Sequence, residues 1–370
     1  RREEVAALFP HLERGIEAAR NRQDKRFTAH DGRVPRAGED NDPRREDGPV
    51  VSAHRLQTVG QCPRRYFFQH VLDVEPPEEM DYDPDEWLDN LEMGSVLHSV
   101  YHDFIGRMKD EGRTPEPARD LDAILDVLED RLEEEKRENP PQRSDLEHTA
   151  RRDLRESCYI FLARQDELFR RGRPRFLEAT LGMWSGDEGS ELDTRQPVSV
   201  SLPGGPQIRV RGRLDRIDEL DAGNGSRFAV WDYKTGSTSK YEKDGDLFDG
   251  GRLVQHALYL HLARECLRRS VRKDAEVHLF GYLFAGPRND GEMIEYEPAE
   301  LSDGPAVVER LCALLGSGAF VPTNEKRDCG FCDYDEVCDD CEAAAEQSER
   351  MLENGDNTIL QPFRELRSSE

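Results

Sequence analysis

The 370-residue sequence predicts an α/β fold, and three observations carry that prediction. Two strand patterns, at about 207–220 and at 227–234, flank the turn-forming run Asp221-Ala222-Gly223-Asn224-Gly225-Ser226, so they should pair antiparallel. Segments before and after that pair repeat apolar residues at helical spacing. Residues 277–284 are mostly apolar, the mark of a buried strand.

Composition narrows the setting. Charged residues make up 35% of the chain, against roughly a quarter in ordinary soluble domains. The net charge is −26, with 8 lysines against 44 arginines. An acidic, lysine-poor surface points to a halophile, in which roughly molar salt screens self-repulsion to within about 3 Å. Steering of a polyanion by bulk positive charge is excluded, so contacts to nucleic acid must be local and largely arginine-borne. No apolar run approaches the roughly 20 residues that span a bilayer, which argues against a membrane protein, and no signal peptide is expected. Half of the eight cysteines lie in one short C-terminal cluster, which fits metal ligation in a reducing cytoplasm better than disulfides.

In chain order, residues 1–50 open with a helix that has Pro10 in its first turn and Arg20 near its end. They then turn polar and read as a connector from an upstream region, disordered over 39–48. Ser52 is placed to cap a short helix at 54–60, and Cys62-Pro63 opens a second, CPRRYFFQHVL. An acidic loop follows at 75–89. Helical spacing at 94–107 then places Val96, Leu97, Val100, Phe104 and Ile105 on one face. Residues 119–171 carry two long amphipathic helices, read as an insert over about 110–172 with no chemistry of its own. RFLEATLGMW (175–184) is a strand, 186–196 a polar turn and 197–202 a short strand. Past Gly236, Lys240, Tyr241 and Lys243 belong either to a phosphate-contacting flap or to a plain solvated loop. A helix at 251–268 puts Gln255 and Tyr259 one turn apart on one face. Residues 346–370 read as a tail.

The chemistry concentrates in GRLDRIDELDAGNGSRFAVWDYKTG, residues 212–236. Alternation on the first strand puts Arg213, Asp215 and Ile217 on one face and Leu214, Arg216 and Asp218 on the other. On the second, Asp232 and Lys234 share a face, about 7 Å apart along the strand. Two carboxylates facing one point from adjacent strands, with a lysine beside them, can make a divalent-metal site with a water-polarising group. The C-terminal run CGFCDYDEVCDDC (329–341) offers two C-x-x-C pairs, which alone point to zinc. The five residues between the pairs are far fewer than the dozen or more of zinc ribbons. The alternative joins Cys329, Cys332 and Cys338 to distant Cys62 as four thiolates around a [4Fe–4S] cluster.

These residues resemble the PD-(D/E)xK nucleases, and within them the RecB and AddB branch, over residues 52 to about 345. The resemblance implies a restriction-endonuclease-like core within 51–345, a mixed sheet flanked by helices, with a helical insert and a C-terminal iron–sulfur staple. In that branch the G-x-x-D-R-I-D and D-Y-K-T-G strands would make Asp215 the first metal ligand, Asp232 the second and Lys234 the catalytic lysine. G-S-V-L-H resembles the G-x-x-x-H motif whose histidine reaches the metal centre. It implies His98, with His102 one turn on as the second candidate, and the Tyr233 carbonyl completes the ligand set. Glu178 resembles the acid that precedes the G-x-x-D strand and assists the metal. Gln255 and Tyr259 match Q-x-x-x-Y, which lies near the DNA strand and the active site. C-P-R-R-Y with C-x2-C-x5-C is similar to the AddB pattern in which four cysteines hold a structural [4Fe–4S] cluster, here Cys62, Cys329, Cys332 and Cys338.

The activity so implied is Mg²⁺- or Mn²⁺-dependent hydrolysis of DNA, as an exonuclease on single strands or ends, in repair and recombination. No Walker motif (G-x-x-x-x-G-K-[ST]) occurs, so the helicase partner would be a separate domain or a separate chain. A non-cleaving DNA-binding or scaffold module of the same fold is a second reading, against which the intact Asp215, Asp232 and Lys234 argue. A zinc-stabilised interaction domain is a third, which metal analysis separates from the others.

Overall fold

The computed structural model describes residues 9–21, 24–75, 85–184, 190–220, 226–242, 245–330, 332–338 and 340–368. Residues 221–225 of the expected turn, most of the acidic loop (76–84), residues 186–189 of the polar turn, and Lys243 lie outside the described residues.

The described strands are β1 (Arg173–Leu181), β2 (Val198–Ser201), β3 (Gln207–Val210), β4 (Gly212–Glu219), β5 (Arg227–Lys234), β6 (Glu276–Phe284) and β7 (Glu292–Tyr296). Five of them form one mixed sheet in the order β1-β4-β5-β6-β7, and β2 and β3 form a separate pair. All neighbours run antiparallel except β5 and β6. The helices are α1 (Pro10–Asn21), α2 (Pro35–Asn41), α3 (Ala53–Gln61), α4 (Pro63–Tyr66), α5 (Asn90–Asp110), α6 (Pro117–Glu138) and α7 (Ser144–Arg171) before the sheet. After β5 come α8 (Gln255–Ser270), α9 (Gly304–Ser317), α10 (Asp335–Cys338), α11 (Cys341–Glu353) and α12 (Gln361–Arg367). The parallel step from β5 to β6 is a crossover through α8, as parallel neighbours require.

Strand alternation sorts β5 between two cores. Phe228 and Val230 enter a core with Leu56 of α3, Leu258 of α8, Leu311 of α9 and Phe363 of α12. Ala229, Trp231 and Tyr233 enter the other, with Leu97 of α5, Leu128 of α6 and Phe161 of α7. Trp231 fits because its parallel partner is Gly281, where a Cβ would stand 2.3 Å from the indole. Helix α5 starts where its sequence caps it. Asp89 accepts from the N–H groups of Leu91 and Glu92, and the Glu92 carboxylate accepts from Asp89 N at 2.9 Å. Ser52 likewise caps α3.

Several expectations are corrected. Residues 24–50, expected as a connector disordered over 39–48, pack on the core. Phe27 is buried there with its N–H on Asn357 Oδ1, α2 is helical, and Val34 N donates to Gly318 O. Residues 346–368, expected as a tail, bury Met351, Leu360 and Phe363 in the same core. The single strand expected at 207–220 is two. Val51 pairs beside β3, its carbonyl accepting from Arg211 N, and β4 then leaves to join the large sheet. Strand β7 at the sheet's edge was not anticipated.

Candidate active site

The ladder between β4 and β5 runs from Glu219–Phe228 to Arg216–Trp231, and the next residue on each strand is Asp215 and Asp232. The site forms where that pairing ends. On β1, Leu177 and Ala179 pair with Arg216 and Leu214, so Glu178 lies opposite Asp215. Glu178 has a φ of 49°, in the left-handed region. A non-glycine residue there costs on the order of 1–3 kcal/mol, a strain that gathers at functional sites.

His98 reaches the strands from α5. Its Nδ1 stands 3.5 Å from Asp215 Oδ2, and its Nε2 lies 3.1 Å from the Tyr233 carbonyl. His98, Glu178 and Asp215 each offer a ligand atom within 4.8 Å of the others. Ligands about 2.1 Å from an octahedral Mg²⁺ lie roughly 3–4 Å apart, so this donor set fits a hard divalent cation.

Asp232 stands beside that trio and turns to Lys234 and Gln255. Lys234 Nζ is 2.6 Å from Asp232 Oδ2, Gln255 Nε2 donates to Asp232 Oδ1 at 2.8 Å, and Gln255 Oε1 accepts from Lys234 at 3.1 Å. Although ion-paired, the buried Oδ2 takes no well-aligned hydrogen bond and keeps acceptor capacity for a further partner. Gln255 is itself held from α3, where Gln57 Oε1 accepts from Val254 N and Gln255 N at the start of α8. Tyr259 packs against Gly212, whose Cβ, if present, would meet the ring at 3.0 Å. The glycine of G-x-x-D thus makes room for the tyrosine of Q-x-x-x-Y.

The electrostatics follow from burial and crowding. Burial pushes Asp232 up to about 6 against the pull of Lys234, and Asp215 adds to the rise. Burial acts the same way on Asp215, but the His98 imidazole and the Tyr233 N–H outweigh it and hold this carboxyl below its usual range. Burial opposes a charged His98, yet Asp215, with Asp232 and Glu178, raises it to about 9. Burial and Asp215 raise Glu178. Lys234 is raised despite its burial, chiefly by Asp232. Crowded carboxylates that titrate apart are the signature of a site built around a cation or a proton transfer.

Other candidates fall elsewhere. His102 is bonded to Asp103 and stands outside the metal trio. Tyr241 is no flap residue: its ring is buried against Tyr282 and Phe284, and its carbonyl accepts from Tyr296 Oη at 2.6 Å.

Cys62, Cys329, Cys332, Cys338 and Cys341 all line one pocket. Cys62 Sγ accepts from Thr323 N at 3.3 Å. Burial raises Cys62 to about 11, and burial with neighbouring Cys341 raises Cys329 to about 12. Among the described residues no three cysteine sulfurs lie within 4.8 Å of one another. Charge pairs hold the pocket's walls: Arg252 makes two 2.8 Å bonds to Asp328, and Arg367 donates to Gly60 O and Gln61 O beside Cys62.

Two supports escaped sequence reasoning. Gln57 carries no motif at all. Arg216 lies inside GRLDRID and bonds Asp218 on its own strand face (2.6 and 2.8 Å), but its buried 2.7 Å bond to Gln165 depends on α7, 51 residues away.

Fold and site together define a nuclease of the PD-(D/E)XK kind. Residues 50–339 match the PD-(D/E)XK nuclease superfamily, and the chain belongs to it. Among individual proteins, it is similar to one from Symbiobacterium thermophilum that is named as a subunit of an ATP-dependent helicase/deoxyribonuclease. The two are 32% identical over 221 residues, 58% of this chain and 17% of that protein. The protein of the same name from Lacticaseibacillus casei is 26% identical over 308 residues, 76% of this chain and 24% of that protein. That of Thermoanaerobacter sp. X514 is 25% identical over 217 residues, 56% and 17%. The match therefore spans between 17% and 24% of the length of these relatives. They bear out the RecB and AddB resemblance read from the motifs.

Proposed function

We propose that this chain is a divalent-metal-dependent deoxyribonuclease domain, acting as an exonuclease on single-stranded DNA or DNA ends, beside a helicase in repair and recombination. The convergence of His98, Glu178 and Asp215 within 4.8 Å, next to the Asp232–Lys234–Gln255 group, carries this reading. The names of the helicase/deoxyribonuclease relatives support the DNA substrate and the helicase partner.

The residues that would hold Mg²⁺ or Mn²⁺ are His98, Glu178, Asp215, Asp232 and the Tyr233 carbonyl. The ion supplies Lewis-acid polarisation of the scissile phosphate and a water acidic enough to attack near neutral pH. Lys234, kept charged by Asp232, orients that water and stabilises charge developing on the phosphate oxygens. Gln255 fixes Lys234 relative to Asp232, and Tyr259 lies beside the strand being cut. Cys62, Cys329, Cys332 and Cys338 would hold a [4Fe–4S] cluster that joins segments 267 residues apart.

The test is cleavage of end-labelled single- and double-stranded DNA with Mg²⁺, with Mn²⁺ and with chelator. Activity should require metal, and Asp232→Ala or Lys234→Ala should lower it about 100-fold or more with unchanged circular dichroism. Full activity in either variant would falsify the assignment of the site.

A further inference from the structure

Two clefts meet at the catalytic group and share Ser95 and His98. One follows α5 and β1 and mixes charge: Asp103, Asp110, Glu191 and Asp193 line it together with Lys109 and Arg131. The other lies between the starts of α3 and α5 and the loop at 235–241. None of its nineteen lining residues, counted among the described residues, is Asp or Glu. Acidic residues are 78 of 370, so composition alone would place about four there.

What lines this second cleft is donor chemistry: His54, Ser95, Thr235, Ser237, Ser239 and Lys240. Lys240 is exposed and sits 4.9 Å over the Tyr241 ring, with no carboxylate within 4.0 Å among the described residues. Elsewhere the basic side chains are commonly matched, as Arg131 is with Asp103 and Arg171 with Glu295. The acids at the start of α5, Asp89 and Glu92, are turned into its capping box.

We propose that this acid-free cleft binds the phosphodiester backbone of the substrate strand beside the scissile bond, and that the mixed-charge cleft does not. The proposal rests on the nuclease reading above and adds the strand's path to it. With a net charge of −26, the field of the whole protein repels a polyanion at long range. Holding a strand then falls to short-range donors, and these work only where no carboxylate stands at phosphate distance. In this cleft the hydroxyls, the His54 imidazole and the Lys240 ammonium lie in a wall that, among the described residues, carries no Asp or Glu, next to Lys234, whose own partner is Asp232.

The experiment is fluorescence anisotropy of a labelled oligothymidylate with the full chain in chelator, over a salt series. His54→Glu and Ser239→Glu, exposed positions on different elements, should each weaken binding about tenfold, with unchanged circular dichroism. Lys240→Ala should flatten the slope of log K against log salt by about 0.7, one phosphate contact on a single strand. Lys109→Glu, in the mixed cleft, should stay within about twofold of wild type. If Lys109→Glu weakens binding while His54→Glu and Ser239→Glu do not, the assignment is overturned. Metal-dependent cleavage by wild type alongside unchanged binding in those two variants removes the cleft proposal alone. A wild-type chain that neither binds nor cuts DNA removes the nuclease reading with it.

Discussion

Gln255 donates to Asp232 at 2.8 Å across 23 residues of chain, and the same amide accepts from Lys234. One side chain at the start of α8 therefore fixes both charged members of the D-x-K strand. It is oriented in turn by backbone bonds to Gln57. The site is a relay of positions as much as a set of ligands.

Removing that relay should slow the reaction and leave the fold intact. Gln255→Ala is expected to lower kcat about tenfold, equivalent to about 1.4 kcal/mol of transition-state stabilisation, with a smaller change in KM. Steady-state cleavage with saturating Mn²⁺ measures this. A wild-type kcat would show that Lys234 needs no positioning by the amide.

The cysteine pocket predicts a contrast. Cys62→Ser should lose iron, sulfide and brown absorbance and lower the unfolding temperature, because ligation closes a loop of 267 residues. In the chain-entropy picture that closure is worth about 5–6 kcal/mol. Cys341→Ser should change little, although Cys341 neighbours Cys329 in the same pocket. Iron analysis and absorbance spectra of both variants decide. A bleached Cys341→Ser beside an intact Cys62→Ser overturns the ligand assignment, and zinc in place of iron overturns the cluster.

Arg216 and Asp218 form a buried bidentate pair with no solvent exposure at the guanidinium. Arg216→Met should cost about 3–5 kcal/mol, since it leaves Asp218 buried without its partner. Replacing both residues with apolar ones should recover most of that loss. Urea denaturation of the single and double variants measures it. A cost under about 1 kcal/mol for Arg216→Met would show that Asp218 is neutral in the folded state.

Lowering salt should unfold the chain. Surface pairs such as Arg131–Asp103 strengthen slightly as salt falls. The repulsion of a net charge of −26 grows faster, because it sums over the whole surface. Circular dichroism across a KCl series should show the helical signal lost towards dilute buffer. Equal stability in dilute buffer and molar salt removes the halophile reading without touching the nuclease one.

The sequence by itself determined what local periodicity and short motifs can encode. Alternation on β5 distributes Phe228, Val230, Ala229, Trp231 and Tyr233 between two cores, and the same alternation puts Asp232 beside Lys234. Helical spacing marked α5 and α8, and Ser52 marked where α3 starts. Tertiary structure alone decided which distant groups meet: His98 with the Tyr233 carbonyl across 135 residues, Gln57 with the start of α8, and Gln165 with Arg216. It also decided that residues 24–50, polar and rich in turn formers, are ordered. That order comes from Phe27, Val34 and Asp31 meeting Asn357, Gly318 and Gln347, partners supplied by the far end of the chain. A segment with few apolar residues is ordered only if surfaces outside it offset its lost conformational entropy, and no spacing within the segment can report those surfaces.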